Sequence, residues 1–280
     1  MWIDPMKKTL IAGLVLAALA STVHAQDAGT SGGTASNAAN NGGWSGSGEF
    51  GFASSRGNSR TDNANAKLTL NQENEMWKNN FFFTGLRSKG EVQVQDNEGN
   101  TINRLSTTAN RYDAGASVGF KLDPRSYIVG AARYDHDDFG ANLWQGTVSI
   151  GYGYVALKNE KMELSFEIGP GYKEYRPADQ QVTLPDGSIE RVRQDSESEP
   201  VARGLVNLKY RLTGNTALED TLLMEAGTKN KYYQNDIGLS VSMTKKLAVK
   251  LGYQVRYNSD VQVGIKNTDT LATTNLVYNF

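Results

Sequence analysis

From Trp44 to the last residue, apolar side chains recur at every second position, the period of a β-strand with one apolar and one polar face. Residues 161–173 show it most clearly. Met162, Leu164, Phe166, Ile168, Pro170 and Tyr172 fall on one face, and Lys161, Glu163, Ser165, Glu167, Gly169, Gly171 and Lys173 on the other. Residues 246–258 repeat the pattern with Leu247, Val249, Leu251, Tyr253, Val255 and Tyr257, and the chain ends on Ala272, Thr274, Leu276, Tyr278 and Phe280. The spacing predicts twelve strands, near 44–56, 61–74, 77–89, 104–122, 126–136, 141–157, 161–173, 200–213, 216–228, 232–244, 246–258 and 272–280. In 216–228, Asp220 shares the face of Leu218, Leu222 and Met224, which predicts a bulge or a register break there.

The connections alternate in length. Those at 74–76, 123–125, 158–160, 214–215 and 245–246 are brief, while three of the others, 90–103, 176–199 and 258–268, are long. Short turns at one end and long loops at the other are the signature of a transmembrane antiparallel up-and-down β-barrel, which places the long loops outside and both chain ends in the periplasm. A soluble β-sandwich also alternates, but its strands are usually nearer five or six residues. Trp44, Trp77, Tyr127, Trp144, Tyr233, Tyr257 and Phe280 sit at or near strand ends, where a barrel carries its interfacial aromatic girdles.

Composition narrows the picture further. After the first 25 residues there is no apolar run near the roughly 18 residues a spanning helix requires, so only strands could cross a bilayer. Lys7 and Lys8, the apolar stretch from Leu10 to Ala20 and the small-residue site at Val23-His24-Ala25 read as a signal peptide over residues 1–25. Residues 26–43, rich in Gly, Ala, Asn and Ser, read as a flexible periplasmic tail, leaving 44–280 as the barrel. The expected location is the outer membrane of a Gram-negative bacterium. A formal net charge of -1 gives no reason to expect a nucleic acid as partner. Cysteine is absent, which excludes disulfides and thiol or zinc-thiolate chemistry, and no cofactor or metal is implied.

The chain also resembles the family of salt-induced outer-membrane proteins of the YdiY type. The likeness runs through Gly57-Asn58-Ser59, Tyr134-Asp135-His136-Asp137-Asp138-Phe139, the Gly-Tyr pattern at 151–154 and Leu164 to Tyr172. It continues in Ala202-Arg203, Arg256 to Asp260, Thr268-Asp269-Thr270 and Val277-Tyr278-Asn279-Phe280. The resemblance implies an outer-membrane barrel with a stress association carried by the family's name, and it brings no catalytic residues.

Candidate chemistry is concentrated in two places. His136 is the one histidine of the mature chain and lies in the cluster Asp135-His136-Asp137-Asp138. An omptin-type protease pairs Asp with His, and an outer-membrane lipase or deacylase sets His beside Ser, so an outer-leaflet enzyme using His136 is the alternative function. Against it, Asp135 and His136 are strand neighbours and point to opposite sides of the wall, and no serine shares their hairpin. Asp137 and Asp138 are also candidates for adventitious cation binding, beside the plainer reading of a solvated turn.

The second place is the inward face. It carries Glu49, Lys67, Arg111, Asp113, Lys121, Arg133, Asp135, Glu163, Glu167, Lys173, Arg203, Lys209, Arg211, Glu219, Glu225, Asp236, Lys250 and Arg256. Two arrangements follow from mixed charge at these positions: ion pairs that cross and occlude the lumen, or facing ladders that line a narrow pore for a small polar solute. Residues 176–199 fit either an external loop or an inward constriction. The other expected partners are outer-membrane lipid and the assembly machinery, which reads the C-terminal strand through the terminal aromatic Phe280.

Overall fold

Strands with one apolar face need a surface to bury or a solvent that accepts it, and backbone groups at a sheet edge need partners. The chain meets the second need by closing the sheet on itself. The computed structural model describes residues 42–55, 60–95, 100–185, 189–262 and 266–280; the expected signal peptide and the tail up to residue 41 lie outside these. Its strands are β1 (Trp44–Ser55), β2 (Thr61–Glu73), β3 (Trp77–Gln95), β4 (Thr101–Lys121), β5 (Ser126–Asp137), β6 (Asn142–Lys158) and β7 (Met162–Pro177). They continue with β8 (Gln180–Thr183), β9 (Ile189–Val192), β10 (Glu197–Arg211), β11 (Thr216–Gly227), β12 (Lys231–Ser242), β13 (Leu247–Asn258) and β14 (Thr268–Asn279). Twelve of them form a closed barrel in the order β1-β14-β13-β12-β11-β10-β7-β6-β5-β4-β3-β2, with β8 and β9 as a separate two-stranded hairpin.

The fold expectation is borne out, with three local corrections. The stretches expected as long loops at 90–103 and 176–199 are partly strand: β3 and β4 pair as far as Gln95↔Thr101, and the hairpin β8–β9 stands between β7 and β10. A polar ladder propagates wherever two antiparallel arms stay opposite each other, and hydrophobic patterning does not register it. No break occurs at Asp220, where the β10–β11 and β11–β12 registers run without a shift. The shifts fall instead at Ser88/Lys89 on β3, and at Asn142/Trp144 and Val155/Leu157 on β6. Tyr127 is not a girdle residue: it is 2% exposed and its hydroxyl donates to Glu167 Oε1 at 3.0 Å.

Each short connection is fastened by a polar side chain at its first or second position. Asn74 Oδ1 accepts from the N–H groups of Met76 and Trp77, Asp123 Oδ1 from Arg125 and Ser126, and Asn159 Oδ1 from Lys161 and Met162. Thr213 and Thr244 do the same with their hydroxyls. This local bonding is why Asn, Asp and Thr favour turns. The Arg125 N–H so placed also holds the Asp123 carboxyl below its ordinary range. At the opposite end, Glu199 is 2% exposed and accepts from the N–H groups of Lys229 and Asn230, at 2.7 and 3.1 Å, pinning the β11–β12 turn.

The outer face is apolar and open: Ile168 is 70% exposed, Phe50 59% and Leu251 54%. Rings line both margins, with Trp77 against Phe120 and Tyr278 against Phe280 at the turn end, and Tyr233 against Tyr257 and Tyr134 against Trp144 at the loop end. Large inward side chains are accommodated by glycines on neighbouring strands. Tyr127 lies over Gly119 and Gly153, and Phe82 lies over Gly115; an added Cβ would overlap the ring at Gly153 and Gly115 and crowd it at Gly119. Gly153→Val is therefore expected to cost about 1–3 kcal/mol as overpacking. Most of that loss should be recovered in the Tyr127→Ala background, as urea titration of the folded barrel would show.

Candidate functional site

Strands β5 and β13 are six places apart in the ring of twelve, whichever way it is counted. Arg256, near the loop end of β13, nevertheless meets Asp135 of β5: its Nη1 lies 2.9 Å from Asp135 Oδ2, and its Nη2 lies 3.1 Å from Asp113 Oδ1 on β4. An ion pair between opposite walls can form only through the lumen. All three side chains are nearly inaccessible, at 5%, 4% and 4% exposure for Arg256, Asp135 and Asp113.

The layer extends sideways from this bridge. Arg133 Nη2 contacts Asp135 at 2.9 Å and donates to Tyr232 Oη and Gln234 Oε1 across on β12, both at 3.0 Å. Gln234 and Gln254 both donate to Asp236, and Arg111 donates to Gln254 Oε1 at 2.7 Å. Next to it, Lys173 is fully buried, 3.7 Å from Glu225, with its Nζ near the rings of Tyr175 and Tyr232. Thr147 donates to the same Glu225. Arg133, Lys173 and Arg256 thus meet Asp113, Asp135 and Glu225 directly, and Arg111 and Asp236 are joined through Gln254. Burying an ion is expensive unless it is paired and further hydrogen-bonded; the glutamines, Tyr232 and Thr147 supply such bonds to Arg111, Arg133, Asp236 and Glu225, whereas Lys173 Nζ has only Glu225 at 3.7 Å and the two rings.

The half of the lumen nearer the turns is arranged differently. Lys250 bridges Glu49 and Glu219 at 3.0 and 3.1 Å, and Asn275 also donates to Glu49. Arg203 and Tyr127 share Glu167, Lys78 contacts Glu163 at 3.4 Å, and Lys121 with Lys158 holds Glu73. Access is greater here, the Glu219 side chain keeping 41% exposure. Lys209 and Arg211 are exposed and Lys67 is half-buried. Among the described residues these three cations have no ion pair within 4 Å, although Lys67 and Lys209 both act electrostatically on Glu219.

Sequence reasoning missed the neutral members of the layer, Tyr232, Gln234 and Gln254, and the pairing residues Glu73 and Lys78. Strand alternation already put Tyr232, Gln234 and Gln254 on the charged face; scanning only for charge passed them over. His136 is separate from the layer. It faces outward, stacks on Tyr112 at 4.8 Å between centroids and contacts Asp138 Oδ1 at 2.8 Å. No serine is among these partners. Asn110 donates to Asp138 at 2.6 Å and keeps that carboxyl below its ordinary range, while Asp137 accepts from Phe139 N–H. Among the described residues no group of three or more His, Cys, Asp or Glu is arranged to hold a metal ion.

Residues 48–280 match the model of a family described as "Protein of unknown function, DUF481". The "Uncharacterized protein YdiY" of Escherichia coli (strain K12) is 22% identical over 184 residues, which is 65% of this chain and 67% of that protein. Among solved structures, the chain is similar to the translocator domain of the autotransporter NalP from Neisseria meningitidis, with 12% identity, 84% of this chain and 87% of that one covered, and a TM-score of 0.46. For the KdgM porin in complex with disordered oligogalacturonate the values are 10%, 84%, 99% and 0.41. For the NanC porin they are 13%, 84%, 97% and 0.39.

Proposed function

We propose that this chain, which belongs to that family of unknown function, is an outer-membrane barrel whose lumen is a path for small polar solutes held shut by the Arg256 layer. The apolar outer wall with rings at both margins supports a membrane setting, because such a wall is costly in water and matched by hydrocarbon. The observation that carries the closed state is the bridge from Arg256 to Asp113 and Asp135, which joins opposite walls. The observation that favours a path over an inert plug is the accessible turn-end half with Lys67, Lys209 and Arg211, unpaired among the described residues, a surplus of cations that favours anions.

Replacing only Arg256 would leave the buried Asp113 without its ion pair, Asp135 keeping Arg133, and cost about 3–5 kcal/mol, so the test removes charge on both sides. In planar bilayers the unsubstituted protein is expected to conduct weakly, and Arg256→Ser with Asp113→Ser, which leaves the Arg133–Asp135 pair in place, to conduct severalfold more. Neutralising Lys67, Lys209 and Arg211 to Met should shift the reversal potential towards cations. Equal, negligible conductance in both proteins would rule out the closed path.

A further inference from the structure

One ionisable side chain stands on the wrong face for a barrel in lipid. Asp220 lies directly opposite Leu208 on β10 and Ile237 on β12, and Ile237 is 42% exposed on the outer wall. Its neighbours in the chain turn inward, Glu219 to Lys250 and Thr221 to Asn207. Along β11 it falls between Leu218, which pairs with Tyr210, and Met224, which pairs with Tyr233, hence inside the belt bounded by the two rows of rings.

The group is half satisfied. Asn235 Nδ2 donates to Asp220 Oδ1 at 2.7 Å, and otherwise reaches only the Thr221 carbonyl, at 3.5 Å. Asp220 Oδ2 and Asn235 Oδ1 make no hydrogen bond to another described residue. A carboxylate facing hydrocarbon needs donors, and lipid chains have none.

We infer that the β11–β12 outer wall is the interface with a second copy of this chain, Asp220 and Asn235 of each copy bonding to the other across a two-fold axis. The pair is its own complement. Each copy offers a carboxylate oxygen with spare acceptor capacity and an amide N–H in poor use, so a two-fold arrangement gives each Asp220 two amide donors and places no carboxylate against a carboxylate. Ala202 and Gly204 share the outer face of the adjoining β10, and such small side chains let a second wall approach. The inference goes beyond the conduction reading and does not depend on it.

The chain has no cysteine, so a single reporter can be placed without background. Ile237→Cys in isolated membranes should oxidise to a species of twice the chain mass. Adding Asp220→Leu should reduce that species at least tenfold while heat-modifiable gel mobility remains, since leucine suits a lipid-facing position. Phe83→Cys, on β3 five places round the ring from β12 and six from β11, should crosslink at least tenfold less than Ile237→Cys. The interface is overturned if Ile237→Cys gives no such species, if the species survives Asp220→Leu undiminished, or if Phe83→Cys matches it. Capture of an unlike protein alone also overturns it. Should Asp220→Leu fail to fold, the first and third comparisons still decide.

Discussion

Deletion of Phe280 is expected to leave a full-length β-sheet that does not close. The seam between first and last strands is short, with four register pairs between β1 and β14 among the described residues, against twelve between β1 and β2. Phe280 extends that seam: its N–H donates to Gly46 O at 3.0 Å and its carbonyl accepts from Gly46 N–H at 2.9 Å. Its ring occupies the space over Gly46, where a Cβ would overlap it, and stacks on Tyr278. Removing the residue exposes backbone groups at an edge in lipid, each at a cost of several kcal/mol, so a half-closed barrel is not a stable alternative. The purified deletion variant should show little heat-modifiable species when refolded into lipid vesicles. In cells the loss should be at least as severe, because a sheet that does not close leaves its edge exposed. A normal folded yield in vesicles combined with failure in cells would assign Phe280 to recognition alone; normal yields in both would remove it from closure as well.

Leu251→Arg should be the most damaging single substitution on the wall. Leu251 is 54% exposed, in the middle of β13, and paired with Leu239 and Thr274 on the same outer face. An arginine facing the bilayer midplane costs about 2–4 kcal/mol, enough to abolish a marginal barrel. Ser149→Arg supplies the inward control. Ser149 lies between Ala131 and Gly171, small neighbours that leave room for a long side chain to reach the lumen. The folded fraction, read as heat-modifiable mobility, should fall sharply for Leu251→Arg and little for Ser149→Arg. Equal losses would mean that the two faces are not lipid and lumen.

The sequence by itself determined the twelve barrel strands, their two faces and the closed topology, though not the β8–β9 hairpin or the extension of β3 and β4. A period of two fixes which side chains share a face, and brief connections fastened by Asn74, Asp123, Asn159, Thr213 and Thr244 force neighbouring strands to be antiparallel. It also separated Asp135 from His136 by parity alone. What it did not determine is who meets whom inside. Arg256 and Asp135 are separated by 121 residues, and whether they touch depends on how many strands lie between them round the ring and how the strands are staggered. Neither quantity is encoded locally. Tyr127 shows the same limit in reverse. An aromatic near a strand end reads as a girdle residue until the packing shows glycines at 119 and 153 opening the inner wall beneath its ring. The Asp220 mismatch was legible as an anomaly, but a bulge and an outward carboxylate are equivalent in sequence. Only the unbroken registers on both sides of β11 decided between them, because a continuous ladder fixes the parity of every residue it contains.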